Sequence, residues 1–162
     1  NNTLYAVLVL PGDRNYLDDP IYTAETIPKE FFHVQSLDNF DATNAFRANY
    51  GLKPLLWEEY AAVAAADHSQ DMADKNYFSH ISPDGRSALD RYLEINNVPW
   101  ELYGENISAG RAYGIDIFDG WINSEGHRKN ILNDEFKYLG VGGGFNPDSK
   151  HLFYMTQLFV TY

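Results

Sequence analysis

Gly104-Glu105-Asn106-Ile107-Ser108-Ala109-Gly110 is a short apolar-leaning segment with one acid held between two glycines. Upstream of it lies Asn76-Tyr77-Phe78-Ser79-His80. Downstream lies Gly120-Trp121-Ile122-Asn123-Ser124-Glu125-Gly126-His127-Arg128, so two histidines flank one glutamate at wide separation. Residues so far apart in sequence meet only through a fold.

The chain can supply one. Its 162 residues suit a single domain and are too few for two of ordinary size. Hydrophobic residues make up 44% and aromatics 15%, enough burial to offset the entropy of ordering and to exclude disorder. The 23 acidic residues against 12 basic give a net charge of −11, which repels nucleic-acid phosphates and anionic headgroups. No nucleic-acid partner is expected. The absence of cysteine removes disulfides, thiolate nucleophiles and cysteine-ligated zinc together. The longest apolar run, Leu4 to Leu10, falls far short of the roughly 18 to 20 residues that span a bilayer. Because the chain opens Asn1-Asn2-Thr3 without a methionine, we expect a piece of a longer, processed protein.

Leu4 to Leu10 reads as a buried strand ended by Pro11-Gly12, and the acidic, aromatic, proline-punctuated stretch to Pro28 reads as a linker. A helix is expected from about Asp38, capped by Asp38 or Asp41, with Ala42, Ala45 and Phe46 on one side and Gly51 as its stop. The strongest helix runs from about Trp57 to Lys75, with Trp57, Ala61, Ala64, Ala65, His68 and Met72 at helical spacing and His68 pointing inward. Two more follow, Ser87 to about Asn96 after the turn Ser82-Pro83-Asp84-Gly85, and about Ile115 to Ile122, interrupted by Gly126. The period then changes. Residues 137–145 and 151–162 read as two strands joined by the turn Asn146-Pro147-Asp148-Ser149. Helices first and a hairpin last predict an α+β fold, with helices packed on an antiparallel sheet.

The Gly140 to Gly144 run lacks the lysine and hydroxyl of a phosphate-binding loop, so its glycines are assigned to close backbone packing. That leaves the histidines and acids to carry chemistry. His80 precedes a Pro-Gly turn and His127 follows a glycine at the start of a helical turn, both places where a side chain can face a cleft. The plainer alternative is that each caps neighbouring backbone. His68, on an apolar helix face, is expected to be a hydrogen-bonded core histidine, and His33 and His151 to be exposed.

Four motifs follow one another along the chain: His68 to Ala73 running on to Tyr77-Phe78-Ser79-His80, then Gly104-Glu105-Asn106-Ile107, then Trp121 to Leu132, and Leu139-Gly140-Val141-Gly142. Over residues 37–162 the chain resembles the CAP superfamily of cysteine-rich secretory, antigen five and pathogenesis-related one proteins, in its bacterial, cysteine-free branch. Residues 1–36 resemble the tail of the associated domain that precedes such domains in secreted proteins. The resemblance implies a three-layer α-β-α sandwich with a groove lined by two histidines and two acids. His80 matches the first histidine, Glu105 the acid of the Gly-Glu-Asn motif, and His127 the second histidine. The second acid of a full tetrad falls on Ser124, with Glu125 one residue beyond and about 100° further round a helix.

The resemblance implies a secreted or cell-wall-associated module that binds or signals through its groove. Its partner would be a cell-wall, lipid or protein ligand, met without turnover. A divalent ion, zinc being the usual choice for nitrogen ligands, would sit weakly between His80 and His127. The alternative is a hydrolase of peptide or peptidoglycan, in which the two histidines hold the ion and Glu105 activates water.

Overall fold

The computed structural model describes residues 27, 30–98 and 101–162. The expected strand over Leu4 to Leu10 lies outside them, as does nearly all of the expected linker. The first described helix, α1 (Phe31–Asn49), begins seven residues earlier than expected and crosses the boundary expected between residues 36 and 37. The reason is the character of its buried face. Gln35, Asn39, Thr43 and Arg47, four residues apart, form a stripe that is polar, whereas Ala42 and Phe46 are only half-buried. Hydrophobic periodicity does not detect such a helix. Tyr50 and Gly51 end it, Gly51 in the left-handed region at φ 71°.

Trp57 belongs to a strand, contrary to expectation. Asn44 clamps Leu55 from both sides, donating to its carbonyl at 3.1 Å and accepting from its N–H at 2.8 Å. Held there, Leu56–Trp57 (β1) extends, and α2 (Glu59–Asp74) starts only after Glu58, whose side chain accepts from the Ala61 N–H. Next come α3 (Ala88–Leu93), closed by a reciprocal Ser87–Asp90 cap, and β2 (Leu102–Ala109). The motif around Glu105 is thus a strand, which its sequence had not indicated. α4 (Gly114–Ile122) stops at Asn123, and α5 (Glu125–Ile131) carries Gly126 inside it, so Gly126 is not what interrupts the helix. The chain closes with β3 (Tyr138–Phe145) and β4 (Phe153–Thr161).

The four strands lie in the order β1-β3-β4-β2. β3 and β2 pair antiparallel with β4, while β1 runs parallel to β3, so the sheet expected to be antiparallel is mixed at one edge. Every residue of β4 is buried, the mark of a central strand covered on both faces. α2 covers one face. A side chain on Gly140, Gly142 or Gly144 would start 2.1, 2.2 or 2.4 Å from the backbone nitrogens of Ala62, Ala66 and Gln70. The match is one of pitch: four residues of helix advance about 6 Å and two of strand about 6.6 Å, so each glycine meets the next turn. On the other face α1 and α4 pack over Leu139, Val141, Met155 and Phe159, together with Phe118 and Trp121. This is the α+β, three-layer arrangement.

That second face also holds a buried amide network. Gln157 of β4 donates to Asn39 Oδ1 at 2.7 Å and Thr43 Oγ1 at 2.8 Å, and accepts from Asn106 of β2 at 3.0 Å. Asn39 in turn donates to the Gly114 carbonyl at 2.9 Å, tying α1 to α4. Buried polar groups of this kind cost most when half-satisfied. Gln157→Leu is therefore expected to lose about 1–3 kcal/mol in urea unfolding, because Asn39, Thr43 and Asn106 keep their polar atoms and lose the partner. A loss under about 0.5 kcal/mol would mean that the network is not a unit.

Candidate functional site

Alternation along β2 builds the site. Glu105 and Asn106 are neighbours in the strand, so they point to opposite faces of the sheet. β2 is an edge strand, and its free edge lies between the two faces.

Glu105 points toward α2 and α3. Its Oε1 accepts from His80 Nδ1 at 2.8 Å and its Oε2 from Arg91 Nη2 at 2.6 Å. The Glu105 and Arg91 side chains are each 6% exposed, whereas that of His80 is 54% exposed. Arg91 does more than neutralise the acid. Its Nη1 donates to the His80 carbonyl at 3.0 Å, to Ser82 Oγ at 3.2 Å and to the Arg86 carbonyl at 3.1 Å, so one guanidinium holds both the acid and the loop that carries the histidine. The loop has a second anchor. The buried His68 ring donates through Nε2 to the Ser79 carbonyl at 3.1 Å, and Tyr77 beside it donates to Asp71 at 2.6 Å. Burial is the largest influence on His68 and lowers its pKa to about 4, the carboxylate of Glu105 opposing and Arg91 adding to the effect. His68 is the hydrogen-bonded core histidine expected.

Asn106 points the other way and holds the second histidine by its backbone. Its Nδ2 donates to the His127 carbonyl at 3.2 Å, and its Oδ1 accepts from Asn130 of α5 at 2.8 Å. Asn130 also donates to the Glu105 carbonyl, and Trp121 Nε1 donates to the Ile107 carbonyl at 3.1 Å, so α4 and α5 are fastened along the free edge of β2. The His127 ring lies against Trp121, half-buried, with Nδ1 unpartnered among the described residues. Burial lowers its pKa, and the nearby His80 lowers it further.

Two of the three expected site residues are thus joined directly. His80 and Glu105 share a hydrogen bond, and His127 approaches the same strand from the opposite face without a bond to either side chain. Of the doubtful pair, Ser124 is the half-buried N-cap of α5 and makes no capping bond with its side chain. Glu125 stands in solvent and pairs with Lys129 at 2.8 Å, one turn along the same helix. His33 is exposed as expected, but His151 is half-buried between Phe78 and Tyr154.

The residues that sequence reading missed are Arg91, Asn106, Asn130 and Gln157. A signal for Arg91 was present: Ala88, Arg91, Tyr92 and Ile95 recur at i, i+3, i+4 and i+7, which puts an arginine on the apolar stripe of a helix.

As a metal site the arrangement falls short. Among the described residues no three His, Asp or Glu side chains converge, and both Glu105 oxygens are engaged. Structural zinc takes about four protein ligands and catalytic zinc about three, so the residues present do not fit a resident zinc ion.

A helix-covered mixed sheet, with a histidine-bearing loop and a histidine-bearing helix meeting at its free edge, defines a domain of the cysteine-rich secretory type. The profile of the Cysteine-rich secretory protein family matches residues 40–159, and the chain belongs to that family. Two Bacillus subtilis proteins, the membrane protein YlbC and the protein YkwD, are each 45% identical to it over 102 residues. The match takes in 63% of this chain and 29% and 39% of theirs, so the chain spans well under half the length of these relatives. Among solved structures, an extracellular SCP-domain protein from Bacillus anthracis is 40% identical, with a TM-score of 0.74 over 87% of this chain and 44% of that one. A cysteine-rich secretory protein from Staphylococcus aureus shares the fold at 24% identity and a TM-score of 0.65, over 83% of this chain and 40% of its own. No helix among the described residues is long and apolar enough to cross a membrane.

Proposed function

We propose that this domain is a binding module displayed outside the cell, engaging a cell-wall ligand through the surface that His80 presents beside β2. One observation carries the reading. The acid of the site is committed on both oxygens and shielded from solvent, while the His80 ring stands exposed with Phe78 and Ile81 exposed on either side. Such a surface offers contacts, an imidazole with exposed apolar residues close to it in sequence, and no free carboxylate to activate water. The Bacillus anthracis relative is an extracellular protein, which supports placement on the outer side of the membrane. Lipid and protein ligands are the other classes such a surface suits. Within this reading zinc, or another divalent ion, is at most a weak visitor to His80 and His127.

The second reading, a hydrolase, is favoured by one feature. An imidazole backed by a carboxylate is the arrangement of a general base, and His80 rather than Glu105 would be the group that takes the proton.

Co-sedimentation with purified peptidoglycan tests the choice. His80→Ala is expected to weaken retention about fivefold to tenfold, on the order of 1 kcal/mol, and Glu125→Ala to leave it unchanged. Release of soluble wall fragments by the wild type, lost in His80→Ala, would replace the first reading by the second. No retention at all would remove the cell wall as the ligand.

A further inference from the structure

We infer that Arg91 is a positioning residue of this groove. It fixes Glu105 and, through Glu105, the tautomer of His80, so that His80 meets its ligand with Nε2 as a hydrogen-bond acceptor. The inference deepens the binding role proposed above and rests on it for the ligand, but not for the tautomer.

Arg91 has no acceptor atoms, and its two terminal nitrogens are directed at four: Glu105 Oε2, the His80 and Arg86 carbonyls, and Ser82 Oγ. Three of these belong to the loop that follows His80, so the fork cannot turn without moving that loop. Glu105 Oε2 is held against it at 2.6 Å, which leaves Oε1 to face His80 Nδ1 at 2.8 Å. A carboxylate accepts and does not donate, so Nδ1 must carry the proton. A neutral imidazole has only one, and Nε2 is left with its lone pair. Free imidazole side chains in water favour the opposite tautomer, so this state is one the fold imposes.

The consequence is a chemical class of ligand. A lone pair on an exposed ring is met by a hydroxyl or an amide N–H, both abundant on glycan chains and their acyl substituents. Carboxylates and phosphates offer it only lone pairs, and a chain of net charge −11 adds to their exclusion.

Long-range proton–nitrogen NMR correlations in alkaline buffer read the tautomer on the free protein. The wild type is expected to show His80 protonated at Nδ1, and protonation at Nε2 overturns the inference. Glu105→Gln is the sharper test. Arg91 should draw the amide oxygen, turn the NH₂ group to His80 and invert the tautomer. In Glu105→Gln/Arg91→Met nothing orients the amide, and the two tautomers should mix. A merely structural Arg91 would give both variants the same tautomer, which also overturns the inference. Should the double variant fail to fold, Glu105→Gln alone decides, since protonation retained at Nδ1 in it overturns the inference. Titration of the wild type with tri-N-acetylglucosamine then tests the ligand class: a shift of the Nε2 resonance is expected, and its absence removes hydroxyl-bearing glycan as the class. Because the tautomer is read without ligand, its failure and the failure of wall binding are separate results.

Discussion

Arg91→Met is expected to destabilise the fold by about 3–5 kcal/mol, a third or more of the stability of an ordinary domain. Met follows the stem of the buried Arg91 only as far as Nε, so the part lost is the guanidinium end that makes the bonds, and the larger cost is not one of volume. It comes from Glu105, which would stay buried at 6% exposure with a charge and no cation beside it, and from the His80 carbonyl, which would lose its Arg91 donor, while the Arg86 carbonyl keeps the Ser82 N–H. Arg91→Met/Glu105→Leu should recover part of the loss, since the charge that made the single variant costly is gone. Urea unfolding of both variants checks this. A single variant losing under about 1 kcal/mol, or a double variant no better than the single, would show that the Arg91–Glu105 pair is screened by water.

Acid should weaken the domain through His68. The ring titrates at about 4 in the fold against 6.5 in an unfolded chain, because its burial disfavours the charged form. The unfolded state is therefore the one that takes up a proton as the pH falls below 6.5. The contribution is fully present above that pH, declines through the interval and is gone once the pH passes about 4, a loss of about 3 kcal/mol. Glu58 and Asp116, whose carboxyls burial holds above the usual range, act in the opposite sense. The effect is thus read as a difference between wild type and His68→Gln, which keeps a neutral N–H donor near the Ser79 carbonyl. Parallel stability curves for the two proteins over this interval would contradict it.

How much of this was legible follows from how each residue is paid for in burial. α2 was legible because its alanines are packed at helical spacing, and β3 because glycines on alternate positions have few uses other than close approach to a helix. The start of α1 was not, since the stripe Gln35-Asn39-Thr43-Arg47 buries polar groups whose partners lie up to 118 residues away. β2 escaped for a related reason: Glu105 and Asn106 are poor strand formers, placed there by pairing with β4 and by bonds from α3 and α5. His80 and Glu105 could be nominated from their motifs. Their junction through Arg91 could not, because no local pattern tells which acid a buried arginine will meet. Glu125 could not be separated from the site by helix angle, which holds only while the helix continues: α4 stops at Ile122, and Glu125 opens α5 paired with Lys129.

The opposite orientations of Glu105 and Asn106 carry an evolutionary consequence. Deleting or inserting one residue in the first half of β2 would turn the strand over, sending the carboxylate into the amide cluster around Gln157 and the amide toward Arg91. Both histidines would lose their tethers at a stroke. Substitution can therefore drift at this strand, but changes of length should be confined to the loops that flank it.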